Sequence, residues 1–305
     1  MGQSHIVGRA EEIGRLSRAV EDAAEGRGSV WFLSGESGIG KSRLAEEVGR
    51  VARERGMRTF WGRCWEAGGA PAYWPWVQVL RAVLRTAEPG QVEPHLAAMS
   101  QILPELPGGD TALATEGLGP DQARFGLMDA VSNVLADAAQ RVPIVVVLED
   151  LHVADVSTAL LLDFLSATVR HQHLLLLGTF REVELSSAPA GPQLVRTVQQ
   201  SERIALQRLS EADVASFLRA SGESAEPSFV RALHETSEGH PLFLVEVAQL
   251  WRSRGRAPAN GRPAIPQSVR TVIRERLATV TDECIETLRR GAVVGREFDI
   301  GLLES

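Results

Sequence analysis

Lysine is almost absent from this chain: Lys41 is the only one, beside 31 arginines. Tyrosine occurs once and asparagine twice, while alanine and glycine abound, the bias of a GC-rich genome that disfavours lysine codons. Cysteine is nearly as scarce. Cys64 and Cys284 lie far apart and outside any CxxC spacing, which argues against a disulfide framework or a zinc site and fits a reducing compartment. No apolar run approaches the roughly 18 residues that a membrane span requires, and Met1 to Arg9 lacks the basic start and apolar stretch of a signal peptide. These absences predict a cytoplasmic chain with no membrane partner. The net charge of −7 makes broad nucleic-acid binding a poor fit. The last stretch, 252–305, has a small arginine surplus, which reads as solvated surface.

A lone lysine placed at random would rarely fall inside a phosphate-loop pattern, yet Lys41 does. Gly35-Glu36-Ser37-Gly38-Ile39-Gly40-Lys41-Ser42 matches G-x-x-x-x-G-K-[ST] in full. Val30 to Ser34 before it reads as a buried strand. Leu44, Val48 and Val51 after it recur at helical spacing, with Glu46, Glu47, Arg50 and Arg53 on other faces. The motif thus sits between strand and helix, which disfavours a chance glycine-rich turn. Its glycines let backbone N–H groups, through Arg43, face phosphates, and the helix N-terminus adds positive potential. Lys41 is predicted to reach the β- and γ-phosphates and Ser42 to ligate Mg²⁺. A compact ammonium suits that place better than a forked guanidinium.

A second run, Ile144 to Leu148, has the continuous apolar character of a central parallel strand and ends in Glu149-Asp150. It resembles a Walker B motif. By position Glu149 takes the metal role, through water, and Asp150 orients or deprotonates the attacking water. The plainer alternative is two acids closing a strand. His152 reads as a packed histidine rather than a partner contact, and Asp155 as the cap of the next helix. Leu174 to Thr179 is another buried strand. It leads to Arg181, placed to sense a γ-phosphate or, alternatively, to pair with Glu182 or Glu184.

Strands at Val30–Ser34, Arg58–Gly62, Ile144–Leu148, Leu174–Thr179 and Arg203–Leu209 alternate with helices, as in a parallel α/β sheet. Glu211 to Trp251 reads as wholly helical, and Ser253 to Pro266 as a linker. The predicted organisation is a nucleotide-binding domain over 1–209, a helical lid over 210–252, a linker over 253–266 and a further helical unit over 267–305. Trp61, Trp65, Trp74 and Trp76 read as core packing where the second strand leaves the sheet. Pro104 to Pro120 reads as a long loop.

Taken in order, these segments resemble the STAND branch of AAA-like ATPases, and most closely the ATPase module of large LuxR-type bacterial transcriptional regulators. Ile6-Val7-Gly8-Arg9-Ala10-Glu11-Glu12 is similar to that family's N-terminal hhGRExE box. Trp61-Gly62-Arg63-Cys64 with Tyr73-Trp74-Pro75-Trp76 is similar to its second-strand signature. Leu148 to Asp155 resembles its LEDLHWAD box, Gly178 to Arg181 its sensor strand, and Gly239-His240-Pro241 its G-x-P box. Ile265 to Arg270 and Gly295 to Phe298 resemble the opening of its winged helix. The resemblance implies a P-loop NTPase (AAA-like) α/β fold: a parallel sheet in the order 5-1-4-3-2 flanked by helices, then a helical lid and the start of a winged-helix domain. It implies ATP and ADP with Mg²⁺ as cofactors, adenine held by Val7, Gly8 and Arg9, and Pro241 closing over the base or ribose. It also implies a resting ADP state, exchange for ATP that opens the lid and permits self-association, and slow hydrolysis. Ala10 departs from the usual acidic residue and Val153 from the usual Trp. The chain stops just after the winged-helix opening, which reads as part of a longer regulator; DNA binding is not expected of these residues, and an effector domain beyond them could bind DNA or do something else. The competing readings are a working AAA-like NTPase stimulated by DNA or protein, and a scaffold that keeps nucleotide for stability.

Overall fold

A computed structural model describes residues 6–86, 89–106, 119–253, 274, 277 and 280–294. The chain divides into two compact units, Met1–Arg208 and Leu209–Ser305.

In the first unit, α1 (Ala10–Ala24) buries Leu16, Ala19, Val20 and Ala23, the i, i+3, i+4, i+7 stripe of an amphipathic helix. Then come β1 (Ser29–Ser34), α2 (Lys41–Glu54), β2 (Arg58–Arg63), α3 (Trp74–Leu84), α4 (Pro89–Met99) and α5 (Pro120–Arg141). β3 (Ile144–Glu149), α6 (Val156–Thr168), β4 (Leu174–Phe180), the single turn α7 (Glu182–Leu185), α8 (Gly191–Gln199) and β5 (Glu202–Ala205) complete it. The five strands form one sheet in the order β2-β3-β4-β1-β5, and every pairing is parallel. This is the order 5-1-4-3-2 that the resemblance implied, and it makes the molecule a P-loop AAA-like fold.

Side chains alternate along each strand into two cores. Leu33, Val145, Val147, Leu175 and Leu177 pack on the face covered by α1 and α2. Phe32, Ile144, Val146, Leu148, Leu174 and Leu176 pack on the other, with residues of α3, α5, α6 and α8. Burial on both faces is why β3 and β4 are apolar without a break. Register brings the strand ends to one edge: Ser34 lies opposite Phe180, Leu148 opposite Gly178, and Arg63 opposite Glu149.

The aromatic segment divides. Trp76 is fully buried, and its indole N–H donates to Thr158 O at 3.1 Å. Trp61 and Trp74 pack at the edges of the cores. Trp65, by contrast, is 58% exposed, so the packing expectation fails for it. Asp155 does cap α6, its carboxylate accepting from Thr158 N at 3.0 Å. β5 ends at Ala205 rather than at Leu209. Beyond it Leu206 N still donates to Ser34 O, but Gln207 turns its carbonyl to the Arg9 side chain.

The second unit contains α9 (Glu211–Ala220), α10 (Pro227–Ser237), α11 (Pro241–Ser253) and α12 (Asp282–Val294). The stretch from Glu211 to Trp251, expected to be helical, is three helices separated by short breaks. Pro227 stands in the first turn of α10 and Pro241 opens α11, where a missing N–H is harmless. Between these two helices Glu238 and Gly239 both take positive φ, 50° and 68°. A Cβ on Gly239 would lie 2.1 Å from Leu209 O, so the glycine of the G-x-P box is a packing necessity. Leu209, Val214, Leu218, Val230, Leu233, Leu244, Val247 and Trp251 form this unit's core. The linker expected over 253–266 lies outside the described residues from 254 onward. So does the winged-helix opening expected within 267–305, apart from α12 and Arg274, Leu277, Val280 and Thr281. Among the described residues, no helix is long and apolar enough to cross a membrane.

Candidate functional site

The turn from β1 into α2 builds the site. Gly40 caps α2 with φ 107°, a left-handed conformation that a side chain would strain, and a Cβ there would meet nothing within 4 Å. The space is open and the backbone is set by glycine. Lys41 is buried, and its Nζ donates to Gly35 O and Glu36 O, each at 2.9 Å. The ammonium is thus folded onto its own loop. Ile39 is buried beneath the turn, while Ser42 and Arg43 at the start of α2 are exposed. Glu36 pairs with Arg208 at 3.0 Å.

Arg9 fastens the N-terminal box to this loop. Its guanidinium is buried and donates to Gln207 O at 2.6 Å and to Ile39 O at 3.3 Å. It also pairs with Glu12 at 3.3 Å, so a carboxylate one turn on serves where Ala10 offers none. Val7 and Gly8 precede it, half-buried. Arg9 therefore directs its donors at protein carbonyls.

At the end of β3 the two acids part ways. Glu149 Oε1 is buried and makes no hydrogen bond among the described residues. Such an acceptor is costly unless something fills it, which suits the water shell of a cation. Asp150 is buried in the left-handed conformation, φ 60°. Its N–H donates to Thr179 Oγ1 at 3.1 Å and its Oδ2 accepts from Arg63 Nε at 3.0 Å. Left-handed backbone at a non-glycine residue is strained, and here two partners hold it. Asp150 in turn raises the pKa of Arg63 above its ordinary value. Cys64 beside them is buried, which pushes its thiol up to about 12, with Asp150 and Asp155 adding to the shift.

Arg181 follows β4. Nη1 donates to Glu184 at 3.0 Å and Nη2 to Glu66 at 2.8 Å, so the guanidinium is engaged with carboxylates, one of them from the distant β2–α3 loop. His152 is buried against the same pair, its Nε2 3.4 Å from Glu184 and 3.7 Å from Glu66, and neither ring nitrogen makes a hydrogen bond among the described residues. Burial, and then the charge of Arg181, lower its pKa below the usual value, against the pull of Glu184, Asp150 and Glu66. The ring is therefore held neutral, as expected for a packed histidine.

The fold brings the Gly35–Ser42 loop, Glu149, Asp150 and Arg181 to one sheet edge, the carboxyl ends of parallel strands where such folds bind ligands. Pro241 stands at the head of α11 in the second unit. Sequence reasoning assigns Glu66 no role and names Arg63 only as part of a signature. Their partners are 115 and 87 residues away, and no local pattern announces such pairs.

The chain matches the AAA ATPase domain family over residues 5–177, more than half its length. A curated relative, "Uncharacterized protein R02095" of Rhizobium meliloti (strain 1021), is 23% identical over 98% of this chain. The chain spans only 30% of that relative's length. Among solved structures, the ORC2 protein of Aeropyrum pernix in its ADPNP-ADP complexes aligns with a TM-score of 0.56 at 15% identity, over 99% of this chain and 80% of that one. The STAND protein with a tetratricopeptide repeat sensor from Pyrococcus horikoshii aligns with a TM-score of 0.49 at 16% identity, over 80% of this chain and 30% of that one. With the phosphate loop, the paired acids and the strand order all in place, the chain belongs to the AAA ATPase domain family.

Proposed function

We propose that the chain binds ATP and ADP with Mg²⁺ and works as a slow ATP-hydrolysing switch, the ATPase portion of a larger bacterial transcriptional regulator. The observation that carries the reading is Glu149 Oε1, buried and without a hydrogen-bond partner among the described residues, on the same sheet edge as a complete phosphate loop. The loop N–H groups of Gly35 to Arg43 would cradle the phosphates. Lys41 would leave the carbonyls of Gly35 and Glu36 and turn its ammonium to them. Ser42 and, through water, Glu149 would hold Mg²⁺, which when bound neutralises charge on the phosphate oxygens. Asp150 would orient the attacking water. One of its oxygens is already engaged by Arg63 Nε at 3.0 Å, in keeping with slow turnover. Val7 and Gly8 would lie against adenine, with Arg9 fixing their place, and Pro241 would close the lid. ATP in place of ADP would permit self-association, and DNA would be bound elsewhere in the regulator.

The test is to purify the chain without added nucleotide, denature it, and identify what is released by chromatography and mass. Near-stoichiometric ADP supports a closed switch. Lys41→Ala should weaken ATP binding at least tenfold by calorimetry, and equal affinity in variant and wild type refutes the site. The likeness in fold to ORC2 favours a second reading, a working NTPase. Rapid turnover stimulated by DNA would select it.

A further inference from the structure

Glu66 lies in the loop between β2 and α3, and its side chain is 52% exposed. It could reach solvent freely, yet Oε1 accepts from Arg181 Nη2 at 2.8 Å. Glu184, from the turn that follows Arg181, takes the other arm of the guanidinium at 3.0 Å. The arginine is therefore gripped from two sides, by one local carboxylate and one from a different strand's loop. Asp150, His152 and Glu66 crowd the same spot, with one nitrogen or oxygen of each within 4.8 Å of the others. Around Arg181 stand the carboxylates of Glu66, Glu184 and Asp150, with Arg63 as the second guanidinium and His152 held neutral.

We propose that Glu66 is a positioning residue for Arg181, and that the strength of the Glu66–Arg181 pair sets how strongly the site prefers ATP to ADP. A third phosphate competes with Glu66 for the same guanidinium, whereas ADP leaves the pair undisturbed. Glu184 is tied to Arg181 through its own helical turn and travels with it. Glu66 comes from another element, so it is the partner that a γ-phosphate displaces. Weakening Glu66 therefore favours ATP alone. The inference rests on Arg181 being the γ-phosphate sensor of the site proposed above.

The test measures ATP and ADP dissociation constants by calorimetry with Mg²⁺ for wild type, Glu66→Gln, Arg181→Gln and the double variant. Glu66→Gln should tighten ATP about two- to fivefold, the reach of a partly exposed ion pair, and leave ADP unchanged. Arg181→Gln should reduce the ATP preference, and Glu66→Gln should then have no further effect, the signature of two coupled residues. A Glu66→Gln effect that is absent, that strikes ATP and ADP equally, or that persists without Arg181 overturns the inference while leaving the nucleotide site standing. An ATP preference that Arg181→Gln leaves unchanged refutes the sensor role and the inference with it. Failure of all four proteins to bind nucleotide refutes the proposed function itself.

Discussion

Replacing Arg9 with alanine tests the idea that this residue fastens the phosphate loop. The side chain is only 7% exposed and joins three elements: the loop through Ile39 O, the segment after β5 through Gln207 O, and α1 through Glu12. A hydrogen bond from a charged donor contributes about 1.5–3 kcal/mol, and its loss leaves a carbonyl without a partner. The bond to Gln207 O, at 2.6 Å, should fall within that range. The bond to Ile39 O and the pair with Glu12, both at 3.3 Å, should add less. Arg9→Ala is therefore expected to destabilise the first unit by about 2–4 kcal/mol, read from urea unfolding. Arg9→Lys should recover roughly half, because one ammonium does not reproduce a fork whose Nη2 serves both carbonyls while its Nη1 holds Glu12. Binding adds a second arm. If Arg9 acts by holding the loop, the variant weakens ATP and inorganic tripolyphosphate by the same factor. A loss below about 0.5 kcal/mol, the range of an ordinary surface change, would refute the structural reasoning. Weakened ATP with unchanged tripolyphosphate would show instead that Arg9 reads the base.

Three further outcomes are expected. Since burial holds the pKa of His152 below 6.5, the unfolded chain takes up its proton first as pH falls. The stability this group allows is complete above 6.5 and declines as pH drops from there toward the folded value. His152→Gln should flatten urea midpoints between pH 7.5 and 5.5, and an unchanged slope would show that another group carries the dependence. Cys284 is exposed, whereas Cys64 is buried with its thiol pushed up to about 12. A thiol reagent at neutral pH should therefore find one rapid site in the native protein and two in denaturant; rapid labelling of Cys64 would contradict its burial. Trp76 is fully buried with its N–H on Thr158 O, so Trp76→Ala should cost about 3–5 kcal/mol. Trp65→Ala, at an exposed position, should change thermal stability little, and equal losses at the two positions would contradict the division of the aromatic segment.

Much of the first unit is written locally. The glycine spacing from Gly35 to Gly40 sets a turn whose backbone chemistry belongs to the turn itself. The unbroken apolar runs at Ile144–Leu148 and Leu174–Thr179 can be satisfied only by strands covered on both faces. The cap at Asp155 is likewise a contact between near neighbours. Pro227 and Pro241, each opening a helix, are likewise local signals.

What tertiary structure decided is which distant groups meet. Asp150 faces Arg63, Arg181 faces Glu66, and Arg9 reaches across to Gln207 because parallel strands deliver their ends to one edge. In sequence those partners are scattered charges, indistinguishable from the solvated arginines and glutamates around them. The two acids after β3 look interchangeable in sequence. Folding leaves an oxygen of Glu149 buried without a partner among the described residues and ties Asp150 to a guanidinium. Local pattern determines the elements and the phosphate loop, because those depend on neighbours a few residues apart. The electrostatic state of each site residue depends on burial and on charges brought in from elsewhere, and only the folded chain supplies them.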